Sequence, residues 1–121
     1  MGKTILVVDD DAMNLRMAEM LLKKQGYDVK KADSGQAALA LLHEETVDLV
    51  LLDVEMPVMS GIETLDAIRE RRELAELPVM FLSASEDMEQ DVANGKYAVQ
   101  GFIQKPILPQ KLYESVAALF E

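Results

Sequence analysis

The 121-residue chain carries 22 acidic and 12 basic side chains, a net charge of −10, and no cysteine. That length suits one domain over residues 1–121 with its own core, and the lack of thiols excludes disulfides, thiolate nucleophiles and thiolate metal sites, which fits a cytoplasmic location. The negative charge repels nucleic-acid phosphates and anionic lipid, no apolar stretch approaches the roughly 20 residues that span a bilayer, and no signal-peptide pattern appears, so neither nucleic acid nor membrane is an expected direct partner.

The chain opens on an apolar run, Thr4-Ile5-Leu6-Val7-Val8, that reads as a buried parallel strand, and continues into a helix from about 12 to 25 stopped by Gly26, with Met17, Ala18, Leu21 and Leu22 facing inward. A short strand over Val29–Ala32 comes next, then an Ala/Leu-rich helix capped by Ser34 and running to about Glu44. Residues 48–52 form the third strand. The chain breaks at Pro57, and Ser60-Gly61-Ile62-Glu63 is a capping box for a third helix to about Arg72. After Pro78, Val79–Leu82 is a fourth buried strand, 86–94 a polar and weak helix with Gly95 at its end, Gly101–Ile103 a short fifth strand, and Pro109 opens the last helix. Five strands alternating with five helices predict an α/β fold, a parallel sheet covered on both faces by right-handed crossovers, with ligands bound beyond the strands' carboxyl ends.

The residues just past the strands carry the chemistry. Asp9 and Asp10 come after the first, Asp53 after the third, Ser83 after the fourth and Lys105 after the fifth, so all five fall on one edge of the sheet. Two unit charges about 4 Å apart repel by roughly 4 kcal/mol at an effective dielectric near 20, so three carboxylates together require protons or a cation. Carboxylate and carbonyl oxygens suit Mg²⁺, which keeps waters and takes a phosphate. A carboxylate nucleophile, an acidic metal-holding pair, a hydroxyl donor and a lone ammonium are what phosphoryl transfer to an aspartate needs.

Val7-Val8-Asp9-Asp10, then Leu51-Leu52-Asp53 with Met56-Pro57 and Gly61, then Ser83-Ala84, then Lys105-Pro106 stand in the order and spacing of a known family. Over essentially its whole length the chain resembles the receiver domain of bacterial two-component response regulators, of the chemotaxis-regulator kind. The resemblance implies a doubly wound, flavodoxin-like (βα)5 fold with strand order 2-1-3-4-5. It implies that Asp53 accepts a phosphoryl group from a phosphohistidine on a sensor kinase or a histidine phosphotransfer protein. Asp10, Asp53 and the Glu55 backbone carbonyl would bind Mg²⁺ directly and Asp9 through water, while Ser83 and Lys105 would contact the phosphoryl group. Phe102 would be the aromatic that turns inward with Ser83, and Lys105-Pro106 a cis peptide. The surface of helix four, strand five and helix five would then select a downstream output domain or protein, as a two-state switch in a phosphorelay rather than a turnover enzyme, acting at most on itself.

Glu55 stands two residues past Asp53, where many relatives carry a neutral or basic side chain; its carboxylate is expected at the mouth of the site, repelling anionic phosphodonors or orienting hydrolytic water. Asp11 reads as a helix cap only, His43 as a helix-end residue, the Arg69, Arg71 and Arg72 cluster as complementing a helix dipole, and Ser83 has a rival role as N-cap with Glu86 three residues on. Two other functions compete. A dehalogenase-type phosphatase wants a second Asp where Glu55 stands, and a flavin-binding module wants hydroxyls and free amides where Asp9, Asp10 and Asp11 would repel the flavin phosphate.

Overall fold

The computed structural model describes residues 2–121. The five strands are β1 (Thr4–Val8), β2 (Asp28–Ala32), β3 (Leu49–Asp53), β4 (Val79–Ser83) and β5 (Gly101–Gln104), and the five helices are α1 (Ala12–Lys24), α2 (Gly35–Glu44), α3 (Gly61–Glu70), α4 (Glu86–Ala93) and α5 (Pro109–Phe120). All strand pairs are parallel and the order is β2-β1-β3-β4-β5. The direction of winding reverses between β1 and β3, which opens a crevice at their carboxyl ends.

Period-2 alternation sends each strand's side chains to two separate apolar layers. Leu6, Val8, Val50, Leu52, Val79 and Phe81 pack under α2 and α3 through Ala38, Leu42, Leu65 and Ile68. On the opposite face Ile5, Val7, Leu49, Leu51, Met80 and Leu82 pack under α1 and α5 through Leu15, Ala18, Leu22, Leu112 and Val116. Each such side chain, fully buried, contributes about 1.5–3 kcal/mol. The central strands β3 and β4 are buried along their whole length, whereas edge strand β2 exposes Asp28, Lys30 and Lys31, charges that discourage pairing with another chain.

Local chemistry ends the helices where the sequence signals it. Gly26 at φ +95 closes α1, with Gly26 N–H donating to Lys23 O and Tyr27 N–H to Leu22 O. The same pattern closes α4: Gly95, at φ +78, lies beyond the helix as its terminator, donating to Val92 O while Lys96 N–H donates to Asp91 O. Ser60 and Glu63 form the reciprocal capping box of α3. The inward stripe of α1 is centred on Leu15, Ala18 and Leu22, with Met17 and Leu21 half-buried at its margin.

Two expectations change. Helix α3 ends at Glu70, short of the expected Arg72, with a 3-10 turn over Arg72–Leu74 after it, and Arg69 does more than meet a dipole. Its guanidinium donates to the carbonyls of Leu74 (3.1 Å), Ala75 (3.3 Å), Leu77 (2.8 Å) and Ala98 (2.7 and 3.1 Å), tying the α3–β4 connector to the α4–β5 loop. Arg71 likewise reaches Leu39 O at 3.2 Å. The N-cap of α4 is Ser85, whose hydroxyl accepts from Met88 N–H at 3.2 Å, so Ser83 is free of that duty.

Candidate functional site

At the carboxyl end of β1 Asp9 is only 1% exposed, and at the end of β3 Asp53 is 2% exposed. Carboxylate oxygens of Asp9, exposed Asp10 and Asp53 lie within 4.8 Å of one another. Lys105, just past β5, bridges the two buried acids, its Nζ 2.8 Å from Asp9 Oδ2 and 3.1 Å from Asp53 Oδ1. Asp9 also accepts from Asp11 N–H (2.9 Å) and Asn14 Nδ2 (3.3 Å), and Asp53 from Glu55 N–H (3.3 Å). Asp11, in turn, caps α1 by accepting from Met13 and Asn14 amides. The Lys105–Pro106 peptide is cis.

Electrostatics follow from this crowding. Burial foremost, then repulsion from Asp9, pushes the Asp53 pKa from 3.8 up to about 7, against the pull of Lys105 and the Glu55 amide. Burial works against the Lys105 ammonium too, yet its bonds to Asp9 and Asp53 hold its pKa above the usual lysine value. Three carboxylates facing one ammonium leave two negative charges uncompensated, and every donor in the set is a hard oxygen, so the residues fit a divalent magnesium-type ion.

Gly61 makes the geometry possible. A Cβ there would overlap the Asp53 carbonyl oxygen and the Val54 Cα, so only glycine lets α3 begin directly over the end of β3, where Gly61 N–H donates to Val54 O at 2.8 Å. The connector between them turns tightly at Val58, whose φ is +68 and which is closed by Met59 N–H donating to Pro57 O at 2.7 Å, a strained γ-turn.

Ser83 is fully buried at the end of β4, beside Asp53 in the sheet, since Asp53 pairs with Leu82. Its hydroxyl lies 3.0 and 2.8 Å from the two carboxylate oxygens of Glu55 and accepts from Ser85 N–H at 3.0 Å. The Glu55 side chain therefore turns back onto β4. Its place two residues past Asp53 predicts a carboxylate at the mouth of the site but not its contact with Ser83; the spacing of residues 55 and 83 carries no signal of it. Phe102 is half-buried on β5, across from Phe81, and lines a cleft of about 520 Å³ together with Glu89, Lys105, Leu108 and Lys111.

The response regulator receiver domain family matches residues 5–117. The chain belongs to that family. It is 35% identical over 118 residues to the chemotaxis protein CheY of Pseudomonas aeruginosa, covering 97% of this chain and 95% of that one. It is also 34% identical over 122 residues to hybrid signal transduction histidine kinase I of Dictyostelium discoideum, covering 93% of this chain and 7% of that much longer protein. The structure of the chemotaxis response regulator CheY4 of Vibrio cholerae superimposes with a TM-score of 0.90 at 28% identity, covering 98% and 99% of the two chains. This receiver domain is thus a phosphoacceptor module of two-component signalling, a switch and not a turnover enzyme. No helix among the described residues is long and apolar enough to cross a membrane.

Proposed function

We propose that residues 1–121 act as one receiver unit and that Asp53 is its phosphoacceptor. The observation that carries this reading is the buried Asp53 carboxylate, placed at a strand end in contact with the Lys105 ammonium at 3.1 Å and clustered with Asp9 and Asp10. One ionised Asp53 oxygen attacks the phosphorus of a phosphohistidine on a histidine kinase or a histidine phosphotransfer protein, the P–N bond breaks, and the ring, already protonated on its other nitrogen, takes the bonding electron pair and leaves as neutral imidazole. Lys105 moves from bridging carboxylates to neutralising a phosphoryl oxygen, and the Ser83 hydroxyl donates to another.

Asp10, Asp53 and the Glu55 main-chain carbonyl would hold Mg²⁺, with Asp9 contributing through water. When bound, the ion supplies Lewis-acid neutralisation of the phosphoryl charge. Rotation of the Ser83 hydroxyl toward the phosphoryl group, on a backbone that stays in place, draws Phe102 inward and alters the α4, β5 and α5 surface that an output domain or protein reads. The same chemistry limits the chain to catalysing its own phosphorylation and dephosphorylation. The lack of cysteine fits a cytoplasmic module, and the charge of −10 argues against direct contact with nucleic acid or anionic membrane.

The test is incubation with acetyl phosphate and Mg²⁺ followed by intact mass analysis. One phosphoryl group is expected on the wild type and none on Asp53→Asn. Labelling that survives the substitution, or steady release of phosphate from many substrates, overturns the assignment.

A further inference from the structure

A hydroxyl has one proton to give. In Ser83 that proton points at the Glu55 carboxylate, whose two oxygens lie 2.8 and 3.0 Å away, while the Ser85 amide occupies an acceptor site of the same oxygen at 3.0 Å. None remains for a phosphoryl oxygen. The backbone on either side of Ser83 is fixed, Leu82 O accepting from Val54 N–H at 3.0 Å and Ser83 O from Lys105 N–H at 2.9 Å. Ser83 is wholly buried and Glu55 is exposed, so the partner with room to leave is Glu55.

We propose that the Glu55 side chain is a latch on the switch: it holds the Ser83 hydroxyl in the unphosphorylated protein and must swing into solvent before that hydroxyl can serve a phosphoryl group on Asp53. The inference rests on Asp53 being the acceptor. Two effects drive the release together. The acyl phosphate competes for the single hydroxyl proton, and its added negative charge repels the neighbouring carboxylate. The hydrogen bond lost on release is charge-assisted, so the latch biases the protein toward the resting state until the phosphoryl group is in place. Glu55 is then a positioning residue that tunes the population of the activated form without touching the reacting atoms.

The experiment is a double-mutant cycle read by binding of beryllofluoride, an anionic phosphoryl analogue, with Mg²⁺ present. Wild type, Glu55→Ala, Glu55→Gln, Ser83→Ala and the Glu55→Ala/Ser83→Ala pair are titrated calorimetrically, each first confirmed as folded. Glu55→Ala is expected to tighten binding about tenfold, the size of a charge-assisted hydrogen bond removed from the resting state, and Glu55→Gln, which keeps an acceptor but no charge, to tighten it less. In the Ser83→Ala background the effect of Glu55→Ala shrinks to the part owed to charge alone. A measurement independent of the Ser83 variants is the amide spectrum of unliganded Glu55→Ala, where the Ser83 and Ser85 resonances are expected to move toward their positions in beryllofluoride-bound wild type. Equal effects of Glu55→Ala in both backgrounds, or unmoved Ser83 and Ser85 resonances, overturn the latch while leaving the Asp53 assignment intact. Folded wild type that binds no beryllofluoride overturns the Asp53 assignment and the latch with it.

Discussion

Replacing Asp53 with Asn removes a charge that the fold holds against its own interest. The shift from 3.8 to about 7, at about 1.36 kcal/mol per pKa unit, means that keeping Asp53 ionised inside the fold costs roughly 4 kcal/mol. The Asn amide has nearly the same shape but leaves part of its hydrogen bonding unmet in the crevice, which offsets roughly 1–3 kcal/mol. Asp53→Asn is therefore expected to be more stable than wild type by about 2 kcal/mol in metal-free buffer near pH 8. The sign with pH is set by the folded pKa lying above the unfolded one: wild type binds more protons when native, so this group's penalty is absent below about pH 4, grows as pH rises and is complete above about pH 7. Urea unfolding followed by circular dichroism in EDTA, at about pH 4 and about pH 8, should show the variant the less stable of the two in acid, by about 1–2 kcal/mol, and the more stable in base, so that the order inverts with pH. Magnesium added in base should narrow the gap, because it binds the native wild type and finds one fewer anionic ligand in the variant. A variant less stable than wild type in base, or a gap the same at both pH values, refutes the reasoning.

Two further outcomes are expected from the connectors. Val58→Gly relieves a β-branched residue held at φ +68 and 92% exposed, so no packing is lost; after allowing for the extra freedom of glycine in the unfolded chain, a gain of about 1 kcal/mol is expected by denaturant unfolding, and a loss would mean that the turn carries no strain. Arg69→Met keeps the apolar stem but leaves the Leu74, Ala75, Leu77 and Ala98 carbonyls without their cation, with an expected loss of about 2 kcal/mol and faster amide exchange at 74–78 and 96–100; a loss of stability without that local exchange would argue against a clamp.

How far these features can be read from the chain alone depends on whether the causes are local. Strands β1, β3 and β4 declare themselves as uninterrupted apolar runs because both faces are covered, and Ser60 with Glu63 announces the start of α3 within four residues. That Asp9, Asp10, Asp53, Ser83 and Lys105 arrive at one edge follows from parallel strands each ending in a polar residue. Side-chain direction is another matter. Ser83 and Ser85 are both plausible caps, and only the phase of the first turn of α4 chooses Ser85. Whether Glu55 points to solvent or back to Ser83 is settled only in the folded sheet, where Asp53 pairs with Leu82 and Val54 N–H donates to Leu82 O, which brings residues 28 apart into contact. Arg69 serves carbonyls as far as 29 residues away, and no periodic pattern encodes those partners. The stripe of α1 is displaced toward Met17 in a sequence reading because a single helix does not show at what angle it lies on the sheet.

Helix α4 buries no residue completely, although Met88 and Val92 rest against the layer beneath α2 and α3. It is joined through Ser85 to the hydroxyl of Ser83, whereas Asp9 and Asp53 sit at the carboxyl ends of strands clad on both sides. The molecule thus has a stiff half and a pliable half, with the acidic crevice on the seam between them. A small displacement at that seam spends its effect on the pliable half, where sliding or fraying one lightly anchored helix disturbs little else, so information can leave the site while the scaffold that holds it stays unaltered.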